Sequence, residues 1–283
     1  MKSLSVVCVD GRPGKSGDSL AALQHSAERI GASDVVLFGC EDPVNRPSSV
    51  RFLPIAPLGY LDYSAFMLYA LGRLVRAEHI LIVQADGWVV DETCWSDDFL
   101  EFDYVGAPTH RAWVDDGDGA AWRSRFSWVA GYRQTTTAVV MNGGFSLRSK
   151  RCLRAPADLK LPMAMPPFGV EGYPLQLASP DDVVNEDVQL CVTMRALLEG
   201  AGLKFAPLES ARNFAFEQVI PGFHDDFRPA RCFGQHNRLR RLTSAFPPTV
   251  SHELREREVD GIFRERDVIE DLIRLGYRVE FAP

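Results

Sequence analysis

Residues 80–87 read Ile-Leu-Ile-Val-Gln-Ala-Asp-Gly, and no other stretch limits the fold as tightly. Four consecutive apolar residues, three of them β-branched, specify a strand covered on both faces. A strand with one wet face would alternate instead. The run stops at Gln84, Asp86 and Gly87. A carboxylate at the end of a buried strand is costly to desolvate, so it is paired or ligates a metal. Gly87 lets the backbone turn or lets a ligand come close. In open α/β sheets ligands bind outside the carboxyl ends of the strands. Asp86 therefore stands where a cation or a phosphate would be handled.

The flanking segments agree with a layered α/β chain. Leu4–Val9 reads as a strand ending at Asp10, and Gly11–Gly17 as a loop. Leu20, Leu23, Ala27 and Ile30 then share one face of a helix that Asp18 or Ser19 can cap. Asp34–Phe38 is a second strand, and Ser64–Ala77 a second helix. This order predicts an α/β fold: a mixed, mostly parallel sheet with helices on both faces. Pro108–Thr135, with Trp113, Trp122 and Trp128, shows weak periodicity and reads as a functional loop or lid. Thr137–Leu147 returns to strand character around Asn142-Gly143-Gly144. Residues 155–182, rich in Pro, Gly and Met, read as irregular. Val183–Glu199 is a helix that Gly200 and Gly202 end. Leu203–Ala206 reads as a short strand, and His252–Gly276 as a charged amphipathic helix. Without a repeat or a linker, residues 1–246 read as one domain. Residues 247–283 read as a C-terminal helical extension packed on it.

Composition excludes some functions. The 283 residues are 46% hydrophobic and 24% charged, enough for a full core. A net charge of −7 argues against non-specific nucleic-acid binding. An anionic ligand would need local positive charge, such as Arg238, Arg240 and Arg241, or a bound metal. The six cysteines form no C-x-x-C pair, which argues against zinc ribbons and dithiol redox chemistry and suits a cytosolic setting. The N-terminal apolar stretch is too short for a signal peptide. No apolar run approaches the ~20 residues of a membrane span.

Several constellations carry chemistry. Gly11-Arg-Pro-Gly14-Lys15-Ser16 sits where a P-loop would, but that pattern needs glycine where Val9 stands. Asn185-Glu186-Asp187 opens a helix. Acids favour that place through the dipole and the free N–H groups, and a general base there would be rigidly held. His224 follows Gly222-Phe223, and His236 follows Phe233-Gly234-Gln235; a histidine among glycines and aromatics in a non-periodic segment is a candidate ligand.

Taken in order, Tyr63–Leu68, Glu78–Trp88, Asp103–Pro108, Asn142–Ser149, Asn185–Asp187 and Lys204–Pro207 closely resemble an uncharacterised bacterial glycosyltransferase-like domain family. The resemblance covers roughly residues 50–240. That family is similar to the GT-A superfamily of nucleotide-sugar transferases and, distantly, to the β-1,4-galactosyltransferases. Those enzymes also run a metal Asp, Gly-Gly, Glu-Asp at a helix start and a metal His. The resemblance implies a GT-A-like, Rossmann-type fold and transfer of a sugar from a nucleotide-diphosphate donor, UDP-sugars first, to a hydroxyl of a glycan or lipid-linked acceptor. It implies Mn²⁺ or Mg²⁺ on Asp86 and His236, with His224 as the alternative ligand. Val9, Asp10, Arg12, Gln84, Asp86 and Gly87 would bind the donor. Asn142, Gly143, Gly144 and Trp128 would line the sugar and acceptor, and Asp187 or Glu186 would be the base of an inverting reaction. Gln84 departs from the pattern, since the GT-A metal motif commonly has aspartate there. The setting implied is cytoplasmic polysaccharide biosynthesis, with contact at the inner face of the membrane left open. Two rivals stand beside this reading: a P-loop-like nucleotide hydrolase using residues 10–17, and a carbohydrate-binding protein of the same fold without catalysis.

Overall fold

The computed structural model describes residues 4–115, 119–123, 136–178 and 183–283. Its first half alternates strands and helices: β1 (Leu4–Asp10), α1 (Leu20–Ile30), β2 (Asp34–Gly39), β3 (Val50–Pro54) and α2 (Tyr60–Ala65). A π turn at Phe66–Ala70 carries α2 into α3 (Leu71–Leu74). β4 (His79–Ile82) and β5 (Gly87–Val89) follow. The second half holds β6 (Tyr104–Asp115), β7 (Ala120–Arg123), β8 (Thr136–Ser149) and α4 (Lys150–Asp158). After the β9 (Gly169–Glu171)–β10 (Gln176–Ala178) hairpin, α5 (Glu186–Val188) and α6 (Arg195–Gly200) flank a second π turn. α7 (Leu208–Phe214), β11 (Ala215–Phe216) and β12 (Gly234–His236) lead to β13 (Arg240–Ala245), β14 (Pro248–His252), α8 (Glu265–Arg274) and β15 (Arg278–Phe281).

The main sheet has the order β3-β2-β1-β4-β8-β6-β7. The first four strands are parallel, and β8 runs antiparallel to both β4 and β6. Five of the seven strands thus point one way, which is the mixed, mostly parallel sheet expected. Both faces are covered. Along β1, Val6 and Cys8 pack with Leu20 and Leu23 of α1, while Val7 and Val9 pack with Met67 and Leu71 of the second helix. Each such fully buried side chain stabilises by roughly 1.5–3 kcal/mol relative to exposure. This double burial is why β1 and β4 read as mostly apolar runs rather than alternating ones.

β5 leaves the main sheet through the Gln84–Gly87 turn, where the Gly87 N–H donates to the Gln84 carbonyl at 3.0 Å. It then pairs with β12, which pairs with β11. β13, β14 and β15 form a third sheet.

Four expectations change. Pro108–Asp115 is strand rather than loop; its register against β8 shifts on either side of Pro108, and these irregularities erase the period-2 signature. Leu203–Ala206 makes only a single bridge, Phe205 to Tyr104. The helix expected over His252–Gly276 spans Glu265–Arg274, where Val268, Ile269 and Leu272 are buried; Glu256–Gly261 is a 3₁₀ turn with Val259 alone buried. The C-terminal piece is therefore not simply helical, and its expected boundary at 246 falls inside the β13–β14 hairpin. Trp128 lies outside the described residues. Among the described residues, no helix is long and apolar enough to cross a membrane.

Candidate active site

The carboxyl ends of β1 and β4 open into a cleft of about 370 Å³. Val9, Asp10, Arg12, Gln84 and Asp86, all expected there, line it. Asp10 is buried and fully engaged: Arg12 donates Nε and Nη2 to its two oxygens at 2.8 and 2.7 Å, and Ser19 Oγ donates at 3.1 Å. Ser19 thus holds the strand end instead of capping α1 with its side chain. Tyr60 and Tyr63 of α2 and Arg241 of β13 also face the cleft. Sequence reasoning missed these roles. Arg241 belonged to the basic trio already noted, and Tyr63 opened the family-like block; nothing marked Tyr60.

Asp86 turns its carboxylate toward His236. His236 Nε2 lies 3.4 Å from Asp86 Oδ1 and 3.3 Å from Gln84 Oε1. The β5–β12 register sets this meeting, because it pairs Gly87 with His236. Gln84 is oriented by donating Nε2 to the Tyr63 hydroxyl at 2.8 Å, which aims Oε1 at the histidine. Burial disfavours the Asp86 carboxylate, but His236 outweighs it and holds its pKa below the usual range. Burial likewise disfavours the imidazolium, and Asp86 outweighs it, so the pKa of His236 is raised. Two oxygens and an imidazole nitrogen converge here, a donor set that suits Mn²⁺ or Mg²⁺. Among the described residues no three His, Cys, Asp or Glu side chains gather. A cation held by Asp86, His236 and Gln84 would take its remaining ligands from a bound molecule.

Gly143 and Gly144 connect this corner to the start of α5. A β-carbon on Gly144 would lie 2.3 Å from His236 Nε2 and 2.5 Å from Gln84 Oε1. One on Gly143 would lie 2.2 Å from Glu186 Oε1 and 2.6 Å from Arg148 Nη2. Only glycine lets this backbone pass between the two groups. Asn142 Oδ1 accepts the Gly144 N–H at 2.6 Å and fixes the bend.

The two carboxylates that open α5 differ. Glu186 accepts a 2.8 Å bond from Arg148, whose side chain is fully buried beneath the Tyr104 ring and whose Nε donates to Ser146 Oγ. Among the described residues Asp187 has no cationic partner of this kind. It accepts N–H groups from Gly143 at 3.1 Å and Val188 at 2.7 Å. Burial, and then the neighbouring Glu186 charge, push its pKa up to about 7. The Tyr60 hydroxyl donates to Asn185 Oδ1, tying α2 to this helix start.

Three candidates fall elsewhere. Gly87 is buried behind the turn, where a β-carbon would meet His236 Cδ2 at 2.9 Å and the Gly144 carbonyl at 3.0 Å; it serves close packing of protein on protein. His224 is wholly buried between Phe223 and Phe227, and its Nδ1 accepts the Ile220 N–H at 2.8 Å. Burial lowers its pKa to about 3, so the ring is neutral. The 11–17 loop does not cradle an anion: the Gly14 N–H donates to the Glu41 carboxylate at 3.1 Å, and Lys15 pairs with Asp18 at 3.6 Å.

A family described as "Protein of unknown function (DUF5672)" matches residues 54–236. No curated protein matches the chain. Among solved structures, the chain is similar to the galactosyltransferase LgtC in complex with donor and acceptor sugar analogues. That match has 12% identity and a TM-score of 0.42, covering 83% of this chain and 87% of the other. A mannose-1-phosphate geranyltransferase from Thermus thermophilus is similar at 16% identity and a TM-score of 0.29, over 54% of this chain and 59% of that one.

Proposed function

The chain belongs to this DUF5672 family of proteins of unknown function, and from that footing we propose that it is a glycosyltransferase. It moves a sugar from a nucleotide-diphosphate sugar, UDP-sugars first, to an acceptor hydroxyl of a glycan or lipid-linked molecule. One observation carries the reading. The Gly143–Gly144 backbone passes between the Gln84–His236 corner and the Glu186–Asp187 helix start, so one short segment ties a candidate cation-holding corner to a candidate base.

The residues divide the work by environment. Asp10 and Arg12 form the floor of the donor cleft. Gly143 and Gly144 are buried, and their missing side chains let the backbone run between the His236 corner and the Glu186 helix start. Asp187 takes the proton from the acceptor hydroxyl as that oxygen attacks the anomeric carbon. A base whose pKa sits near the working pH is ionised often enough to accept a proton and basic enough to hold it. Glu186 stays engaged with Arg148 and orients the helix start. A single base with in-line attack gives inversion. Mn²⁺ or Mg²⁺ held by Asp86 and His236 would neutralise the charge that builds on the leaving diphosphate.

The test follows a panel of nucleotide sugars with glycan and lipid-linked acceptors by mass spectrometry, with Mn²⁺ present. Wild type is expected to turn over at least one donor. Asp187→Asn should be slower by about 10²–10⁴-fold, the usual contribution of a general base. Turnover of no donor in the panel, or an Asp187→Asn rate equal to wild type, would overturn the reading.

A further inference from the structure

We propose that Arg241, supplied by the C-terminal sheet, binds the diphosphate of the donor. The proposal rests on the nucleotide-sugar reading of the cleft and names a contact which that reading leaves unassigned. Arg241 lies beyond the stretch that matches the family, which ends at residue 236.

Two guanidinium groups line the cleft, and they are not equivalent. Arg12 is held at two nitrogens by Asp10 and is neutralised there. Among the described residues Arg241 has one ionic contact, 3.5 Å from Glu253, with both side chains more than two-fifths exposed. An exposed pair at that distance holds its partner weakly. Arg241 Nε is covered and finds no acceptor among the described residues. A buried N–H left without a partner is costly, which favours a turn of this half-exposed side chain that carries its guanidinium to a ligand oxygen in the cleft.

The fold aims this side chain. Along β13 successive residues point to opposite faces. Arg240 points inward, where Nε donates to Gln235 Oε1 at 2.7 Å and Nη1 donates to Glu265. Arg241 therefore points outward, into the cleft. Main-chain bonds fix β13 to the Asp86 turn: Asn237 N–H to the Asp86 carbonyl at 2.8 Å, and Leu242 N–H to the Ala85 carbonyl at 2.9 Å. Arg241 is thus locked to the turn whose carboxylate would hold a cation. A diphosphate has oxygens enough for both, and a planar guanidinium matches a phosphate bidentately.

The probe is inorganic pyrophosphate in Mn²⁺ buffer, titrated calorimetrically into wild type, Arg241→Ala, Arg241→Lys and a control, Arg266→Ala. Arg266 pairs with Asp260 on the outer surface. Arg241→Ala is expected to weaken binding about 10–100-fold, the usual weight of a charge-assisted bond. Arg241→Lys should fall between Ala and wild type, and the control should match wild type. Melting curves of each variant report folding; if Arg241→Ala does not fold, Arg241→Gln takes its place. Pyrophosphate bound by wild type and Arg241→Ala within twofold of each other would overturn the proposal, as would no binding by wild type. If the Arg241 dependence holds but no nucleotide sugar is turned over, the anion site stands and the transferase reading falls.

Discussion

Asp187 and Glu186 are adjacent in sequence, yet their surroundings differ sharply. Glu186 is one half of a buried ion pair with Arg148. Breaking such a pair leaves an uncompensated charge and costs about 3–5 kcal/mol. Glu186→Gln is therefore expected to lower the melting temperature markedly, with activity lost in step with folding. Asp187 carries a raised pKa, so its ionised form is disfavoured in the folded state. The sign follows: stability falls as pH rises from the ordinary carboxylate range through about 7. Asp187→Asn removes that cost while keeping an acceptor for the Gly143 N–H. It should melt higher than wild type at pH 8 and have lost turnover. The opposite pattern, an unstable Asp187→Asn and an active, stable Glu186→Gln, would exchange the two roles. In wild type, turnover should rise with pH as Asp187 ionises. Gly144→Ala would push a methyl group into His236 and Gln84. Overpacking of this kind costs about 1–3 kcal/mol, and here it should also weaken Mn²⁺ binding measured by calorimetry.

At the scale of elements, the parts legible in the sequence were those whose residues obey one period. β1, α1, β2 and β4 sit where apolar runs and 3.6-residue spacing placed them. The long strand β6 was hidden, because its register slips against β8 near Pro108. The C-terminal segment misled for a different reason. Its helical pattern was real over α8, but a charged stretch in one dimension does not reveal that Arg240, His252 and Glu265 meet. In the fold they form a closed ionic network: Arg240 donates to Glu265, and His252 Nε2 lies 3.1 Å from the same oxygen. Burial alone would push the Glu265 pKa up; Arg240 and His252 outweigh it and hold it at about 2. A depressed acid pKa stabilises above its ordinary value of 4.5 and loses that contribution as pH falls toward 2. Amide exchange in β13–β15 should accordingly rise across this window, and Glu265→Gln should flatten the dependence. An unchanged pH profile in Glu265→Gln would remove this network from the account of acid stability.

For the whole molecule, the site draws on three separated regions. Residues 54–236 supply Gln84, Asp86, the glycine pair, Asp187 and His236; the first strand adds Asp10 and Arg12, and β13 adds Arg241. Sequence reasoning named the first two groups by two routes: Asp86 and Asp187 from a strand end and a helix start, the others from the family resemblance. It named Arg241 only within a basic trio, because its place at the cleft depends on a sheet formed by the last forty or so residues of the 283. The 11–17 loop resembles a phosphate loop only in composition, since Glu41 occupies one of its N–H groups. Lys15→Ala should leave nucleotide binding unchanged. The claim that joins these regions is that the cleft is a cation-assisted nucleotide-sugar site. A ligand at a hundred times its Kd adds about 2.7 kcal/mol of stability, which raises Tm by several degrees. The most direct measurement is the thermal shift of wild type and Asp86→Ala with UDP-sugars and other nucleotide sugars, each with and without Mn²⁺. The expected result is a rise with donor and Mn²⁺ together that exceeds either alone and disappears in Asp86→Ala. No shift with any nucleotide sugar, or the same Mn²⁺-dependent shift in Asp86→Ala, would contradict it.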